Sequence, residues 1–235
     1  PYGFLNPDWG DVPLKERIES SLSIPCFVDN GANAAVLAEY FFGVGKNKRS
    51  VAYIHCGVGI RSAVIKDGLL IRTMNDQEDA FGSMIVLLQE SGRRGSIESV
   101  SALGAVLHAI AAELNLGSDA LNEENYKEVL EDIPKRNEVV QKVIHERAEL
   151  FSIGLSNFSR LLNPDVIILS GPLMMNLEDY YQECVDAFYR NYHFADTIIF
   201  SRGGAFQENT IAIGSAAMVM DIAIKQGISN KTKSV

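Results

Sequence analysis

Two short segments of this 235-residue chain have the composition of a phosphoryl-transfer cleft. The first, Asp29-Asn30-Gly31, supplies a carboxylate and an amide directly after an apolar run. The second, Gly57-Val58-Gly59-Ile60-Arg61, places two glycines after another apolar run, where backbone N–H groups can approach phosphate oxygens. A carboxylate can act as a general base and a glycine turn can hold phosphates. The two segments together therefore predict a cleft for phosphoryl transfer.

Hydrophobic patterning predicts an α/β fold around these segments. Short apolar runs indicate strands, and apolar residues repeated every three or four positions indicate helices. Asp67-Gly68 between two apolar runs predicts the turn of a β-hairpin. The predicted strands are 24–28, 51–56, 61–65, 165–170 and 197–200, and the principal predicted helices are 12–22, 33–42, 97–114, 135–162, 177–189 and about 210–225.

Composition limits the partners that this chain can have. Its net charge of −9 and pI near 5.0 argue against binding nucleic acid by itself, because phosphate binding needs a basic face. Its three cysteines, Cys26, Cys56 and Cys184, are widely spaced and predict free thiols in a reducing cytoplasm. No apolar run approaches the roughly 18 residues that a membrane span needs. We therefore expect a cytoplasmic protein without a membrane partner.

Several segments resemble the ROK family (repressor, open reading frame, kinase) of sugar kinases and sugar-responsive regulators. In family order they are IPCFVDNGANAAVLAEYFFGVG, VAYIHCGVGIRSAVIKDGLL, FSIGLSNFSRLLNPDVIILSGPLM and AIGSAAM. The resemblance implies the actin-like, ribonuclease-H-like fold of two α/β lobes around a cleft. Residues 1–45 would end the first lobe and form the hinge, and residues 46–235 would form the second lobe, with the terminal helix packing back towards the hinge. An upstream phosphate loop, and the DNA-binding domain of a repressor, would precede Pro1.

The resemblance places the family's catalytic aspartate at Gly31, which has no side chain. In the active kinases this aspartate deprotonates the sugar hydroxyl that attacks the γ-phosphate. Asp29 is a weak substitute, since a base must come within about 3 Å of the proton that it takes. We therefore expect no catalytic residue in this segment.

The family's sugar-contacting groups are only partly retained. Asn30 matches a sugar-contacting asparagine, and it equally fits a helix cap or a turn residue. Of two sugar-contacting glutamates, one corresponds to Ala80, with Glu78 as a displaced candidate, and the other is Glu98. Recognition of a hexose needs several converging polar groups, so this remnant predicts weak sugar binding or none.

The family's second phosphate loop, Gly-Thr-Gly-Ile-Gly, corresponds to residues 57–61. Gly57 and Gly59 keep the turn, whereas Arg61 places a large side chain where a phosphate would approach. Arginine can itself bind phosphate, so an anion-binding role stays open for Arg61. Because the hydroxyl and the last glycine are replaced, we expect no ATP binding.

The family's zinc ligands, one histidine and three cysteines, are also replaced. Serine and glutamine are not credible ligands for structural zinc, which prefers thiolate and imidazole. We therefore expect no metal at these positions, which are Ser83, Gln89, Ser91 and Ser96.

Loss of the base, the phosphate loop and the zinc ligands together predicts a catalytically inactive protein. The favoured interpretation is the effector-sensing and dimerisation region of a ROK transcriptional regulator, resembling the xylose-repressor branch. Its expected partners are a second copy of the chain, a sugar or sugar-phosphate effector, and DNA only through a domain outside this chain. Two alternatives stay open. One is a divergent ATP-dependent sugar kinase of the hexokinase or glucokinase type with Asp29 as base, and the other is a protein-interaction module such as an antirepressor.

Overall fold

A computed structural model describes residues 12–72, 80–88, 92, 94–117, 121, 124–127, 137–193 and 198–232. The strands in these ranges are β1 (Ser50–Cys56), β2 (Ile60–Lys66), β3 (Leu69–Ile71), β4 (Ile85–Leu87), β5 (Arg94–Ser96), β6 (Val166–Ser170) and β7 (Ile199–Arg202). The helices are α1 (Leu14–Leu22), α2 (Gly31–Phe42), α3 (Ile97–Ser101), α4 (Leu103–Glu113), α5 (Glu138–Leu162), α6 (Pro172–Asn176), α7 (Glu178–Asn191) and α8 (Thr210–Thr232).

The strands form a mixed five-stranded sheet in the order β3-β2-β1-β6-β7. β1 pairs antiparallel with β2 and parallel with β6, and β7 continues the parallel half of the sheet. β4 and β5 pair separately as a small antiparallel sheet. A mixed sheet covered by helices confirms the predicted α/β class, and β1, β2 and β6 confirm the strands predicted there.

The turn between β2 and β3 is the two-residue hairpin turn predicted at Asp67-Gly68. Lys66 pairs with Leu69 across it, and the two turn residues have φ values of 51° and 78°. Asp tolerates this left-handed conformation better than most residues, and Gly adopts it without a Cβ clash. Local chemistry therefore sets this turn.

The interior strand β6 is buried on both faces. Val166 and Ile168 pack with residues of α2, whereas Ile167 and Leu169 belong to the larger core that includes α5. Successive side chains of a strand point to opposite faces, so a fully apolar strand fits only between two layers. The sheet thus holds α2, and with it the first polar segment, on one face.

The strand predicted at 24–28 is wrong. Residues 25–30 form neither helix nor strand, and Ile24 and Val28 remain 55% and 53% exposed. A strand needs a neighbour for its backbone N–H and C=O groups, and no described part of the chain supplies one. The Cys26 N–H donates to the Glu19 carboxylate instead, at 2.9 Å.

Two helix predictions also change. The helix predicted at 97–114 is divided at Ala102, whose ψ of 161° is extended, and the terminal helix continues to Thr232 rather than ending near 225. Within the described ranges, every helix is too short or too polar to cross a membrane.

Candidate functional site

Asn30 begins the helix that carries the first polar segment. Its backbone is extended, and its side-chain Oδ1 accepts a hydrogen bond of 2.6 Å from the Asn33 N–H. This bond satisfies one of the free N–H groups at the start of α2. The capping interpretation of Asn30 is confirmed, and its contact with a sugar stays a prediction.

Asp29 is held in an ion pair by Arg72. Its Oδ1 also accepts hydrogen bonds from the Asn30 N–H and from Asn33 Nδ2, both at 2.8 Å. Burial raises the pKa of the Asp29 carboxyl, but the hydrogen bonds from Arg72, Asn33 and Asn30, with the charge of Arg72, lower it below its ordinary value. A carboxylate stabilised in this way accepts a proton poorly, which opposes a role for Asp29 as general base.

Gly31 has room for a side chain at the position of the family's base. A Cβ on Gly31 would lie 3.3 Å from Cδ1 of Ile211, a residue at the start of α8 that is 45% exposed. The end of that isoleucine can move by a few tenths of an ångström. Packing around the Cβ position therefore does not by itself require glycine at position 31.

Arg61 and Glu98 form the second group of the site. Arg61 Nη1 donates to Glu98 Oε2 at 2.7 Å, and the Ile60 N–H donates to the same oxygen at 2.7 Å. The two charged side chains are only 28% and 29% exposed. The fold thus brings together Arg61, for which the sequence left an anion-binding role open, and Glu98, which the resemblance matches to a sugar contact.

The backbone of the β1–β2 turn is already engaged within the protein. The Gly57 N–H donates to the Gly59 carbonyl at 3.1 Å, and the Gly57 carbonyl accepts from the Leu103 N–H at 2.9 Å. The Ile60 N–H is directed to Glu98. A phosphate cradle needs N–H groups directed at the ligand, and in this conformation the Gly57 and Ile60 N–H groups are directed within the protein. The absence of ATP binding stays a prediction.

The positions of the family's zinc ligands do not fit a zinc ion. Ser96 caps α3, and its Oγ accepts a hydrogen bond of 3.1 Å from the Ser99 N–H. Ser83 is the other described position and offers a hydroxyl where imidazole would be needed. Gln89, Ser91 and the candidate sugar ligand Glu78 lie outside the described residues.

Elsewhere in the described part of the chain, three potential metal ligands meet between α5 and α7. They are His145, Glu149 and Glu183, whose ligand atoms lie within 4.8 Å of one another. The cation bound by the two glutamates is Arg190, whose Nη2 lies 2.5 Å from the Glu149 carboxylate and 2.7 Å from the Glu183 carboxylate. The cluster is therefore a network of ion pairs that joins two helices.

A cavity of about 500 Å³ lies beside Asp29, between the 26–29 segment, α2, the β2–β3 turn and α8. Its lining is mostly apolar, and it includes Asp29 and Arg72. Asn30, Glu98 and Gly57 do not line it. The cavity is thus distinct from the sugar and phosphate positions that the sequence predicted.

Sequence reasoning missed two residues that organise the site. Arg72 is 43 positions away from Asp29 along the chain, and nothing in the sequence links them. Glu39 could have been noticed from the sequence, because it is the single charged residue in the otherwise apolar helix α2. It is fully buried, and its carboxylate accepts hydrogen bonds from the Val44 and Ala205 N–H groups at 3.1 and 2.9 Å, so it joins α2 to the loop before α8.

Comparison with known proteins identifies the relatives of this chain. A sequence model described as the ROK family matches residues 3–222. The xylose repressor of Caldicellulosiruptor bescii is 26% identical over 175 residues, which are 70% of this chain and 44% of that protein. A glucokinase of Halalkalibacterium halodurans is 24% identical over 183 residues, which are 72% of this chain and 56% of that protein.

Solved structures support the fold. The crystal structure of a ROK family glucokinase from Streptomyces griseus, in complex with glucose and AMPPNP, matches with a TM-score of 0.74. It is 21% identical, and the match covers 92% of this chain and 75% of that one. The predicted actin-like, ribonuclease-H-like fold is thereby confirmed. The chain spans 60%, 44% and 56% of the lengths of the first three curated relatives that it matches.

Proposed function

Because the chain belongs to the ROK family, whose model matches residues 3–222, we propose that it is the effector-sensing and dimerisation region of a transcriptional regulator that no longer phosphorylates sugars. The observation that carries this proposal is the Arg61–Glu98 pair. In this pair Glu98, which the resemblance matches to a sugar contact, accepts hydrogen bonds from Arg61 and from the Ile60 N–H of the phosphate turn. The two groups that a kinase would direct at its substrates are thus directed at each other.

The state of the candidate base supports the same proposal. Gly31 has no side chain, and the pKa of Asp29 is lowered, chiefly by hydrogen bonds that offset the effect of burial. A general base works best when its pKa lies near the operating pH, and lowering the pKa of a carboxyl moves it in the opposite direction. Neither Gly31 nor Asp29 is therefore well suited to act as the general base of a phosphoryl transfer.

A phosphorylation assay on the full-length protein tests the loss of activity. With ATP and either glucose or xylose, we expect no turnover above the rate without protein, while an active ROK glucokinase serves as positive control. Gly31→Asp alone is expected to stay inactive, since the turn at 57–61 remains engaged with Glu98. Turnover of the wild-type protein that disappears in Asp29→Asn would overturn the proposal.

A divergent sugar kinase is the second candidate, because some relatives, such as the one from Halalkalibacterium halodurans, are named glucokinase. It requires Asp29 to leave Arg72 and approach a sugar hydroxyl. The same assay decides between the two candidates, since Asp29→Asn removes the carboxylate that this mechanism needs. Arg72→Met should increase the activity of such a kinase by freeing Asp29, and it has no effect on an inactive protein.

The regulator proposal includes a homodimer and a separate DNA-binding domain. The net charge of −9 on this chain is unsuited to binding the DNA backbone, so operator contacts are assigned to another part of the whole protein. Sedimentation equilibrium tests the dimer, and a monomeric mass at micromolar concentration would contradict it. An antirepressor that binds another regulator would instead show no operator binding at all.

A further inference from the structure

The strand β4 has an edge whose backbone groups are unused. The Ile97 N–H donates to the Met84 carbonyl at 2.8 Å, and hydrogen-bonded pairs alternate along an antiparallel ladder. Val86 is therefore hydrogen-bonded to β5, whereas the N–H and C=O groups of Ile85 and Leu87 point to the opposite side. Among the described residues, none donates to these groups or accepts from them. An edge of this kind can pair with a further strand.

The side chains at this edge are apolar and exposed. Ile85 is 67% exposed and Leu87 is 60% exposed, whereas Val86 between them points inward and is buried. Proteins commonly protect an open edge with a charged residue or a proline, and β4 contains neither. The strand is therefore unprotected in both its backbone and its side chains.

We propose that β4 is the contact between two copies of this chain, paired antiparallel across a two-fold axis at Val86. The inference rests on the proposed function, because it names the surface of the homodimer proposed there. Ile85 faces the partner's Leu87, and each donates its N–H to the carbonyl of the other. The two small sheets of the dimer then become one continuous sheet, in the order β5-β4-β4-β5.

A second copy fits this edge because the edge is complementary to itself. The free donors and acceptors belong to residues that flank Val86 symmetrically, so a two-fold axis brings each donor to an acceptor. Residues paired across strands share one face of a sheet. The same rotation therefore places the exposed side chains of Ile85 and Leu87 against those of the partner.

The charge nearest to the contact is compatible with this arrangement. Arg94 lies on β5 directly opposite Leu87, on the same face. In the paired sheet, Arg94 and its counterpart lie on the two outer strands and in different rows. Adjacent strands are about 4.8 Å apart, so the two backbones are about 14 Å or more apart, beyond the screening length of about 8 Å. Repulsion between the arginines therefore does not oppose the dimer.

The other edge of the small sheet stops further growth. The Ser96 carbonyl of β5 already accepts a hydrogen bond of 2.8 Å from Ser99 Oγ, and α3 begins at the next residue. A further chain therefore finds no equivalent edge on β5. Two copies paired through β4 form a closed dimer, whereas a contact between unlike edges would produce an open fibre.

The edges of the large sheet fit a second copy less well. Leu69 and Ile71 of β3 are exposed, but the pair that closes a two-residue hairpin turn is hydrogen-bonded, so their backbone groups face β2. Only Leu70 of β3 then directs its backbone groups to the open side. The other edge strand, β7, contains a charged residue, Arg202. Among these edges, β4 combines free backbone groups with exposed apolar side chains.

Sedimentation equilibrium of the full-length protein and three variants tests the contact. Leu87→Lys introduces a charge into the apolar contact, and Leu87→Pro removes an N–H group that the single chain does not use. Each should raise the dissociation constant of the dimer about tenfold or more, as the loss of one hydrogen bond at each half of the contact would give. Leu69→Lys changes an equally exposed leucine on β3 and is the matched control, with no expected effect.

A cysteine at the two-fold axis tests the register. Residues of a non-hydrogen-bonded pair have Cα atoms about 4.5 Å apart, which a disulfide can span, so Val86→Cys should form a covalent dimer with oxidised glutathione. Cys26→Ser is included in all proteins, because Cys56 and Cys184 are buried but Cys26 is partly exposed. Ile199→Cys on β7 is the matched control and should stay monomeric on a non-reducing gel.

The outcomes separate this contact from the proposed function. A dimer that both Leu87 variants leave intact, a Val86→Cys protein that does not cross-link, or dissociation by Leu69→Lys would overturn the β4 contact alone. A wild-type monomer would also contradict the proposed homodimer, and it would leave the β4 edge to a strand of a different protein. Circular dichroism of each variant confirms that it is folded before these measurements.

Discussion

At the scale of single residues, two ion pairs hold the polar groups that could have done chemistry. Arg72 holds Asp29, and Arg61 holds Glu98. In each pair an arginine neutralises a carboxylate that the sequence suggested as a catalytic or sugar-contacting group. Both carboxylates of the candidate site are therefore engaged within the protein.

Arg72→Met should weaken the dependence of stability on pH in the acid range. The pKa of Asp29 is lowered in the folded protein, so its contribution is present above the unfolded pKa of about 3.9 and is lost as the pH falls through the lower folded value. The variant loses the main interaction that lowers this pKa, and at neutral pH it should be less stable by about 1 kcal/mol or less, given solvent screening. Urea unfolding at several pH values between about 2 and 7 measures both effects.

Arg49→Met is the matched control for that measurement. Arg49 pairs with Asp67 at 2.8 Å, but its side chain is 82% exposed, so its removal should leave the acid-range slope unchanged. If Arg72→Met and the wild type have the same slope, Arg72 does not set the pKa of Asp29.

At the scale of elements, the contact between α2 and α8 fixes the position of the first polar segment. Gly214 of α8 lies directly against the backbone of Ala34, and a Cβ on Gly214 would overlap the Ala34 carbonyl oxygen. The buried Glu39 adds a second connection, from α2 to the loop before α8. The start of α2 is therefore held by the terminal helix as well as by the sheet.

Gly214→Ala should separate these two helices. The obstructing atom is a backbone oxygen that cannot rotate away, so we expect a loss of more than about 2 kcal/mol in the free energy of unfolding. Gly31→Ala is the matched control at the same helix pair, because its Cβ would meet only the movable end of Ile211 at 3.3 Å. Urea unfolding of both proteins tests the contact, and equal stability of the two variants would show that α2 and α8 do not pack this closely.

At the scale of the whole molecule, net charge limits the partners that this chain can bind directly. The chain carries a net charge of −9 and belongs to a family whose members here include proteins named xylose repressor and glucokinase. An acidic surface repels nucleic acid while it favours solubility. The net charge therefore disfavours direct contact between this chain and the DNA backbone.

The chain by itself should not bind duplex DNA. Fluorescence anisotropy with a labelled duplex, at about 150 mM salt and micromolar protein, is expected to give no saturable signal, because few phosphates can be neutralised. The full-length protein is the comparison, and it should bind its operator if the regulator proposal holds. Salt-dependent binding by the isolated chain would contradict the expectation.

The sequence by itself determined the fold class, the hairpin turn at Asp67-Gly68 and the resemblance to one family, and it offered a cap at Asn30 as one of the open interpretations. These features depend on local chemistry. The hairpin turn needs residues that tolerate a left-handed backbone, and the cap needs a side-chain acceptor three positions before the N–H group that it binds. The fold class follows from the pattern of apolar runs. The absence of a carboxylate at Gly31 could also be read directly.

Only the tertiary structure decided which charged groups meet. Arg72 reaches Asp29 across 43 positions, and Arg61 reaches Glu98 across 37, so neither pair has a signal in residue spacing. The strand predicted at 24–28 was wrong for a related reason, because pairing depends on a neighbouring backbone and not on the apolar run alone. Hydrophobic pattern and turn chemistry are local properties, whereas ion pairs and strand pairing exist only once distant segments are brought together.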